Sequence, residues 1–239
     1  MRKTPFRNSI LAAAFLAVFI TPISFSQDPA TAAKGEKTFE EQISYSYGVS
    51  IAKQLKGTEL PIDKEVLKRA IDHVFTDQEL EMSADEIEVA VNEARRFIME
   101  KDVKDGPAKE NLDAGKEFLK ENAKKEGVVT TNSGLQYEVI KKGDGEKPAG
   151  PEAEVTVHYT GTLLDGTKFD SSLDRGEPAN FPLNGVIRGW TEGVQLMPEG
   201  SKYKFYIPYY LAYGPGGKPG AIPPYAMLTF EIELLNAGN

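Results

Sequence analysis

The sequence contains no cysteine, and only one tryptophan and two histidines in 239 residues. Without cysteine there are no disulfides, thiolate metal sites, thiol nucleophiles or lipid-modified N-terminal cysteine. Two isolated histidines, His73 and His158, do not make a zinc enzyme, so no metal or other cofactor is expected. Positive charge is also in deficit: 28 Lys plus Arg stand against 36 Asp plus Glu, a net charge of −8. Affinity for nucleic acid comes mainly from Lys and Arg neutralising phosphates, so general nucleic-acid binding is excluded. A membrane-spanning helix needs about 20 apolar residues. The uncharged run from Ile10 to Ile20 is about half that length, follows Arg2, Lys3 and Arg7, and is soon closed by Pro22.

That pattern reads as a secretory signal over residues 1–26, with Ser24 and Ser26 as the small residues before cleavage. The alternative, an uncleaved membrane anchor, is short for a span. The mature chain would start at Gln27 with a net charge of −11. Export without cysteine suits a bacterial periplasm, or the cell surface or outer membrane.

Glycine and proline are scarce over residues 27–127, with 9 in total, and abundant over 128–239, with 26, where 13 aromatic residues also lie. A helical half therefore precedes a turn-rich β half. Thr38 with Glu41 forms a capping box, each side chain satisfying the other's free backbone N–H, and Ile43, Tyr47, Ile51 and Leu55 then repeat at helical spacing up to Gly57. Asp63 starts a second helix with the stripe Leu67, Ala70, Ile71 and Val74. Ser83 with Glu86 opens a third, periodic to Val103. Asp105-Gly106-Pro107 interrupts it, because proline disfavours the helical conformation in the residue before it and cannot donate a hydrogen bond. Helical spacing resumes at Leu112, Gly115, Leu119 and Ala123 and stops by Gly127. The first two helices are too small to hold a core alone, so a symmetric partner chain is expected over residues 38–80. The other solution, these first two helices folded back onto the β half, is disfavoured by the polar stem 109–126, which argues for separation.

In the second half, Leu135–Ile140, Val155–Leu163, Lys202–Ile207 and Met227–Leu235 alternate as strands of an antiparallel sheet. Between them Val186-Ile187-Arg188-Gly189-Trp190-Thr191-Glu192-Gly193-Val194 reads as a short helix laid across it. Read singly, Trp190, Phe169 and Phe230 are core residues, Asp170 is a turn residue or a partner of Arg175, and His158 faces solvent between the inward Val157 and Tyr159. The glycines of 214–220 lack phosphate-loop spacing.

Taken in order, the motifs change that reading. Val157-His158-Tyr159-Thr160-Gly161, Asp165-Gly166-Thr167-Lys168-Phe169-Asp170-Ser171-Ser172, Val186-Ile187-Arg188-Gly189-Trp190, Ala212-Tyr213-Gly214 and Ile222-Pro223-Pro224 closely resemble the FKBP-type peptidyl-prolyl cis/trans isomerases over residues 130–236. The helical half, with Gly115-Lys116-Glu117-Phe118-Leu119, resembles the macrophage-infectivity-potentiator and FkpA-like branch of that family. The fold class implied is α+β: an N-terminal helical dimerisation domain (27–82), a helical stem (83–127) broken at 106–107, and an antiparallel half-barrel around a short helix (128–239). The resemblance further implies a proline-accepting cleft with Trp190 as floor and Tyr159, Phe169, Val186, Ile187 and Phe230 as walls. Asp170 and Tyr213 would supply polar contacts, the Ile187 N–H would bond the substrate carbonyl, and Phe181 and Ile222 would border the cleft. Lys218 stands at the tip loop, where many relatives carry His. Implied partners are proline-containing unfolded or folding polypeptides, a second copy of the chain and macrolide inhibitors of the FKBP-binding class.

Chemistry agrees with such a cleft. Rotation about an X–Pro bond faces a barrier of roughly 20 kcal/mol and breaks no covalent bond, so no nucleophile is needed. The twisted amide has lost resonance and much of its dipole, and an apolar aromatic pocket favours it over the planar form. Two other readings stay open on sequence: a non-catalytic chaperone or adhesion module that uses the cleft as a peptide groove, and a structural dimer scaffold.

Overall fold

The computed structural model describes residues 37–238, and the secretory signal expected at 1–26 lies outside them. The described residues divide into two units, with the boundary between Gln54 and Leu55 inside helix α1 (Phe39–Thr58). In the first unit the capping box forms as the sequence requires. The Thr38 N–H donates to the Glu41 carboxylate at 2.8 Å and the Glu41 N–H to the Thr38 hydroxyl at 3.2 Å. None of α1 is buried, and its stripe residues Ile43, Tyr47 and Ile51 are 39, 51 and 45% exposed.

In the second unit the left-handed residue after α1 is Glu59, at φ 61°, and Gly57 lies within the helix. Helix α2 (Lys64–Phe75) starts at Asp63, whose carboxylate accepts the Glu65 and Val66 amides. Helix α3 (Ala84–Glu100) starts at the Ser83–Glu86 box and stops three residues short of the periodic limit at Val103. After residues 101–105, helix α4 (Gly106–Asn122) begins with Gly106 at φ 74° and Pro107 in its first turn, where a missing N–H is harmless. Neither α2 nor α3 buries a residue.

The remainder is a seven-stranded sheet of β1 (Val128–Thr130), β2 (Gln136–Lys141), β3 (Glu154–Leu163), β4 (Lys168–Ser171), β5 (Ala179–Pro182), β6 (Lys202–Ile207) and β7 (Leu228–Asn236). Every pairing is antiparallel, in the order β1-β2-β6-β7-β3-β4, with β5 also paired to β3. The one-turn helix α5 (Ser172–Arg175) follows β4. Helix α6 (Arg188–Val194) lies on the concave side, and its glycines make the approach possible. A Cβ on Gly189 would sit 2.5 Å from Ile207, and one on Gly193 2.6 Å from Phe205. The core between them includes Val155, Val157, Leu183, Val194, Met197, Phe205 and Ile232. Among the described residues no helix is long and apolar enough to cross a membrane.

The polar stretch 109–126, read from sequence as a stem, is itself seated on the β half. Leu112, Gly115 and Asn122 of α4 are buried. The Asn122 side-chain amide donates to Gln136 Oε1 at 3.0 Å, and Gln136 Nε2 donates to the Leu119 carbonyl at 2.8 Å. Phe118 packs on Tyr206 at 5.4 Å between ring centroids, and Asn111 Nδ2 donates to the Pro224 carbonyl at 3.0 Å. The end of α3 is tied down as well. Glu100 accepts hydrogen bonds from Tyr209 (3.0 Å) and Lys116 (2.6 Å), the Met99 carbonyl accepts one from the Tyr225 hydroxyl (2.8 Å), and the Arg96 guanidinium lies 5.5 Å from the Tyr210 ring centroid. The polar pattern gives no sign of this contact, because the helix buries a narrow seam of small and polar groups, Gly115 against Met227 and Asn122 against Gln136, instead of an apolar stripe.

Candidate active site: an aromatic cleft over helix α6

The alternation of β3 turns Val155, Val157, Tyr159 and Gly161 inward. Pairing with β4 and β7 then sets Phe169, Asp170 and Phe230 around them. Across the opening, Ile187 caps α6 with an extended backbone, its carbonyl accepting the Trp190 and Thr191 amides at 2.9 and 3.1 Å. One turn of helix thus sets the indole beneath the mouth. The cavity has a volume of about 370 Å³ and is lined by Tyr159, Phe169, Asp170, Phe181, Gly185, Val186, Ile187, Trp190, Tyr213 and Phe230.

Three rings stand edge-on to Trp190: Tyr159 at 5.0 Å and 85°, Phe230 at 5.2 Å and 84°, and Phe181 at 5.7 Å and 89°. Edge-to-face geometry of this kind sets the positive ring edge against the negative face and fixes the rings relative to one another. Phe169 extends the wall, edge-on to Phe230 at 5.5 Å. Gly161 makes room for it, since a Cβ there would lie 2.6 Å from Phe230 and 2.7 Å from Phe169. The indole Nε1 is buried and has no hydrogen-bond partner among the described residues.

One wall is polar. The Tyr159 hydroxyl donates to Asp170 Oδ2 at 2.6 Å, Arg175 donates to Asp170 Oδ1 at 2.5 Å, and the same guanidinium reaches the Tyr159 hydroxyl at 2.9 Å. Burial works against ionisation of Asp170, but the hydrogen bonds from Tyr159 and Arg175 and the guanidinium charge outweigh it and hold the carboxyl below its ordinary range. The Tyr159 hydroxyl is raised, first by burial and then by its bond to Asp170. An ionised carboxylate and a neutral phenol therefore face the cavity at neutral pH.

Nine of the ten residues expected at the cleft converge there. Ile222 is not among the lining residues; it is buried in the same core cluster as Trp190 and Phe230 and exchanges backbone hydrogen bonds with Lys218. Gly185 and Arg175 were missed as site residues; Arg175 had been weighed only as a turn partner of Asp170, and its five-residue spacing from that aspartate, across a helical turn, was the available signal. His158, expected to face solvent, is half-buried and hydrogen-bonded through Nδ1 to the Ser172 hydroxyl at 3.1 Å.

Comparison with known proteins bears directly on this geometry. The FKBP-type peptidyl-prolyl cis-trans isomerase family matches residues 145–235, and the domain amino-terminal to such isomerases matches residues 40–139. The FKBP-type peptidyl-prolyl cis-trans isomerase FkpA of Aeromonas hydrophila is 48% identical over 221 residues, covering 87% of this chain and 80% of the relative. The chain belongs to the FKBP-type peptidyl-prolyl cis-trans isomerases. The outer membrane protein MIP of Legionella longbeachae is 38% identical over 209 residues, covering 87% of this chain and 89% of its own. The crystal structure of FkpA from Escherichia coli superposes with a TM-score of 0.52 at 37% identity, covering 84% of this chain and 97% of that one. The α+β class and the order of helical region and antiparallel isomerase domain are those of the FkpA and Mip branch. The protein is an isomerase of peptidyl-prolyl bonds that assists protein folding, and its substrates are polypeptides. The two readings left open on sequence, a non-catalytic groove and a bare scaffold, are set aside.

Proposed function

We propose that isomerisation takes place in the aromatic cleft, with the proline ring on Trp190 and the X–Pro bond between Tyr159, Phe169, Val186, Ile187 and Phe230. The observation that carries this reading is the set of three rings held edge-on about one buried indole. The pocket is apolar, preformed and large enough for a proline ring and the bond before it. Water solvates the planar amide well, so transfer into this pocket costs the ground state more than it costs the twisted midpoint. An acceleration of about 10⁴-fold needs only roughly 5 to 6 kcal/mol of such preference. Asp170, kept ionised by Tyr159 and Arg175, and the Tyr213 ring orient the chain at the rim, while the Ile187 N–H bonds the substrate carbonyl. No proton moves and no group is transferred. The test is NMR exchange on an X–Pro tetrapeptide, together with Trp190 emission. Macrolides of the FKBP-binding class are expected to change the emission and abolish exchange at one equivalent per chain. Full exchange activity with the cleft saturated by macrolide would move the site elsewhere.

We further infer that the mature protein is a homodimer through residues 38–80. The exposed stripes Ile43-Tyr47-Ile51 and Ile71-Val74 support this, since apolar faces of that length are stable only when covered. Light scattering is expected to give twice the chain mass. The clients are exported proteins that fold in the periplasm or at the cell surface, a reading supported by the charged and apolar pattern of residues 1–26.

A further inference from the structure

The rim of the cleft carries a charge that its own surroundings do not answer. Tyr213 lines the cavity, and the Lys218 ammonium lies 5.8 Å from the centre of its ring. The backbone of Lys218 is fixed: its N–H donates to the Ile222 carbonyl, and the Ile222 N–H to the Lys218 carbonyl, each at 2.8 Å, with Ile222 anchored in the core. The loop therefore carries the lysine from a rigid base and not from a free tip. Along the polar wall Asp170 is paired with Arg175, and Lys168 with Asp174. Among the described residues no carboxylate lies within ion-pair distance of Lys218, in a chain whose net charge is −8. An ammonium on a ring face keeps its charge available to a third group, because the ring answers it only with a quadrupole.

We infer that Lys218 makes the cleft prefer X–Pro segments that carry a carboxylate beside the proline, on whichever side of it runs under the 218–222 loop. The inference rests on the cleft being the isomerase site. Unit charges about 7 Å apart at a water-exposed rim change a binding constant by roughly threefold at low ionic strength, and salt of about 0.5 M removes most of that.

The experiment measures kcat/KM by NMR exchange for peptides with Glu, Gln or Lys before proline, and a second set with the same residues after it. The readout is the Glu-to-Gln ratio within each variant, which cancels any general change in activity. In the unmodified protein one of the two sets should give a ratio of about 3, falling toward 1 in 0.5 M NaCl. Lys218→Arg should keep it, Lys218→Gln should bring it to about 1, and Lys218→Glu should invert it. Ratios that stay the same across the three variants, or that ignore salt, overturn the inference and leave the cleft in place. No exchange on any peptide would remove the cleft reading and this inference together.

Discussion

Removing α4 is the perturbation whose effect the structure specifies most fully. A fragment of residues 128–239 keeps all nine residues that line the cleft and were expected there. It loses the burial of Leu112, the Phe118–Tyr206 contact, and the hydrogen bonds joining Asn122 and Leu119 to Gln136. Burying a leucine contributes about 2 kcal/mol. The two hydrogen bonds contribute about 1 kcal/mol each, since Gln136 finds water once the helix is gone. The sum is about 4 kcal/mol, a large part of the 5 to 15 kcal/mol that holds a typical domain. With a urea dependence of about 1.5 kcal/mol per molar for a chain of this size, the midpoint should fall by roughly 2.5 M relative to a fragment starting at Asp105. Peptide turnover at low temperature should be equal in the two. Coincident urea midpoints would refute the reasoning, because α4 would then rest on the sheet without stabilising it.

Gly161→Ala should lower both stability, by about 1 to 3 kcal/mol, and peptide turnover, since the new methyl meets Phe230 and Phe169 inside 3 Å; a variant with normal thermal melting and normal exchange rates would mean the rings can move aside. For pH, the Asp170 carboxyl is depressed below 3.8 in the folded protein, so its contribution to stability is fully present above that value and is lost as pH falls through the folded pKa. Turnover should accordingly be flat from about pH 5 to 9, and an activity step in that window would assign the polar wall to another group. Replacing Tyr209 and Tyr225 together by Phe removes the bonds to Glu100 and Met99, one of them to a charged acceptor, at a cost of about 2 to 4 kcal/mol. Small-angle scattering should then show a wider spread between α3 and the β half, and an unchanged profile would show that packing alone holds α3.

How far the sequence reveals the fold depends on how local the cause is. Asp63 and Ser83 announce their helices because a cap is satisfied within three residues. Strand β6 can be read at Lys202–Ile207 to the residue, since Tyr203, Phe205 and Ile207 must all face the core. Strands β1, β4 and β5 were not read as strands, because three or four residues are too few to display a period. Ile222 is less easily read, because its side chain packs in the core while its backbone holds Lys218, and spacing alone does not distinguish a cleft border from the peg that holds it. The aromatic cleft was readable because five motifs share one order; the α4 seam was not, because Gly115 and Asn122 carry no hydrophobic signal.

The break at Gly106-Pro107 takes on a different meaning once both flanking helices are seen on one surface. A glycine at φ 74° followed by proline is a place where a free chain would bend. Here Glu100 before the break and Lys116 after it are bonded to each other, and Glu100 also holds Tyr209 of the catalytic domain. The break therefore turns the chain between two fixed helices. Its neighbour Tyr225 occupies the left-handed region at φ 56°, a conformation that disfavours a large side chain and is kept only where other contacts require it. Those contacts are the Met99 carbonyl at its hydroxyl and the Gly214 carbonyl at its amide, so the strained residue ties the end of α3 to the segment beside Tyr213. Residue Pro224 ties the same loop to Asn111 of α4. The loop that carries Lys218 and borders the cleft is thus the loop on which the helices rest.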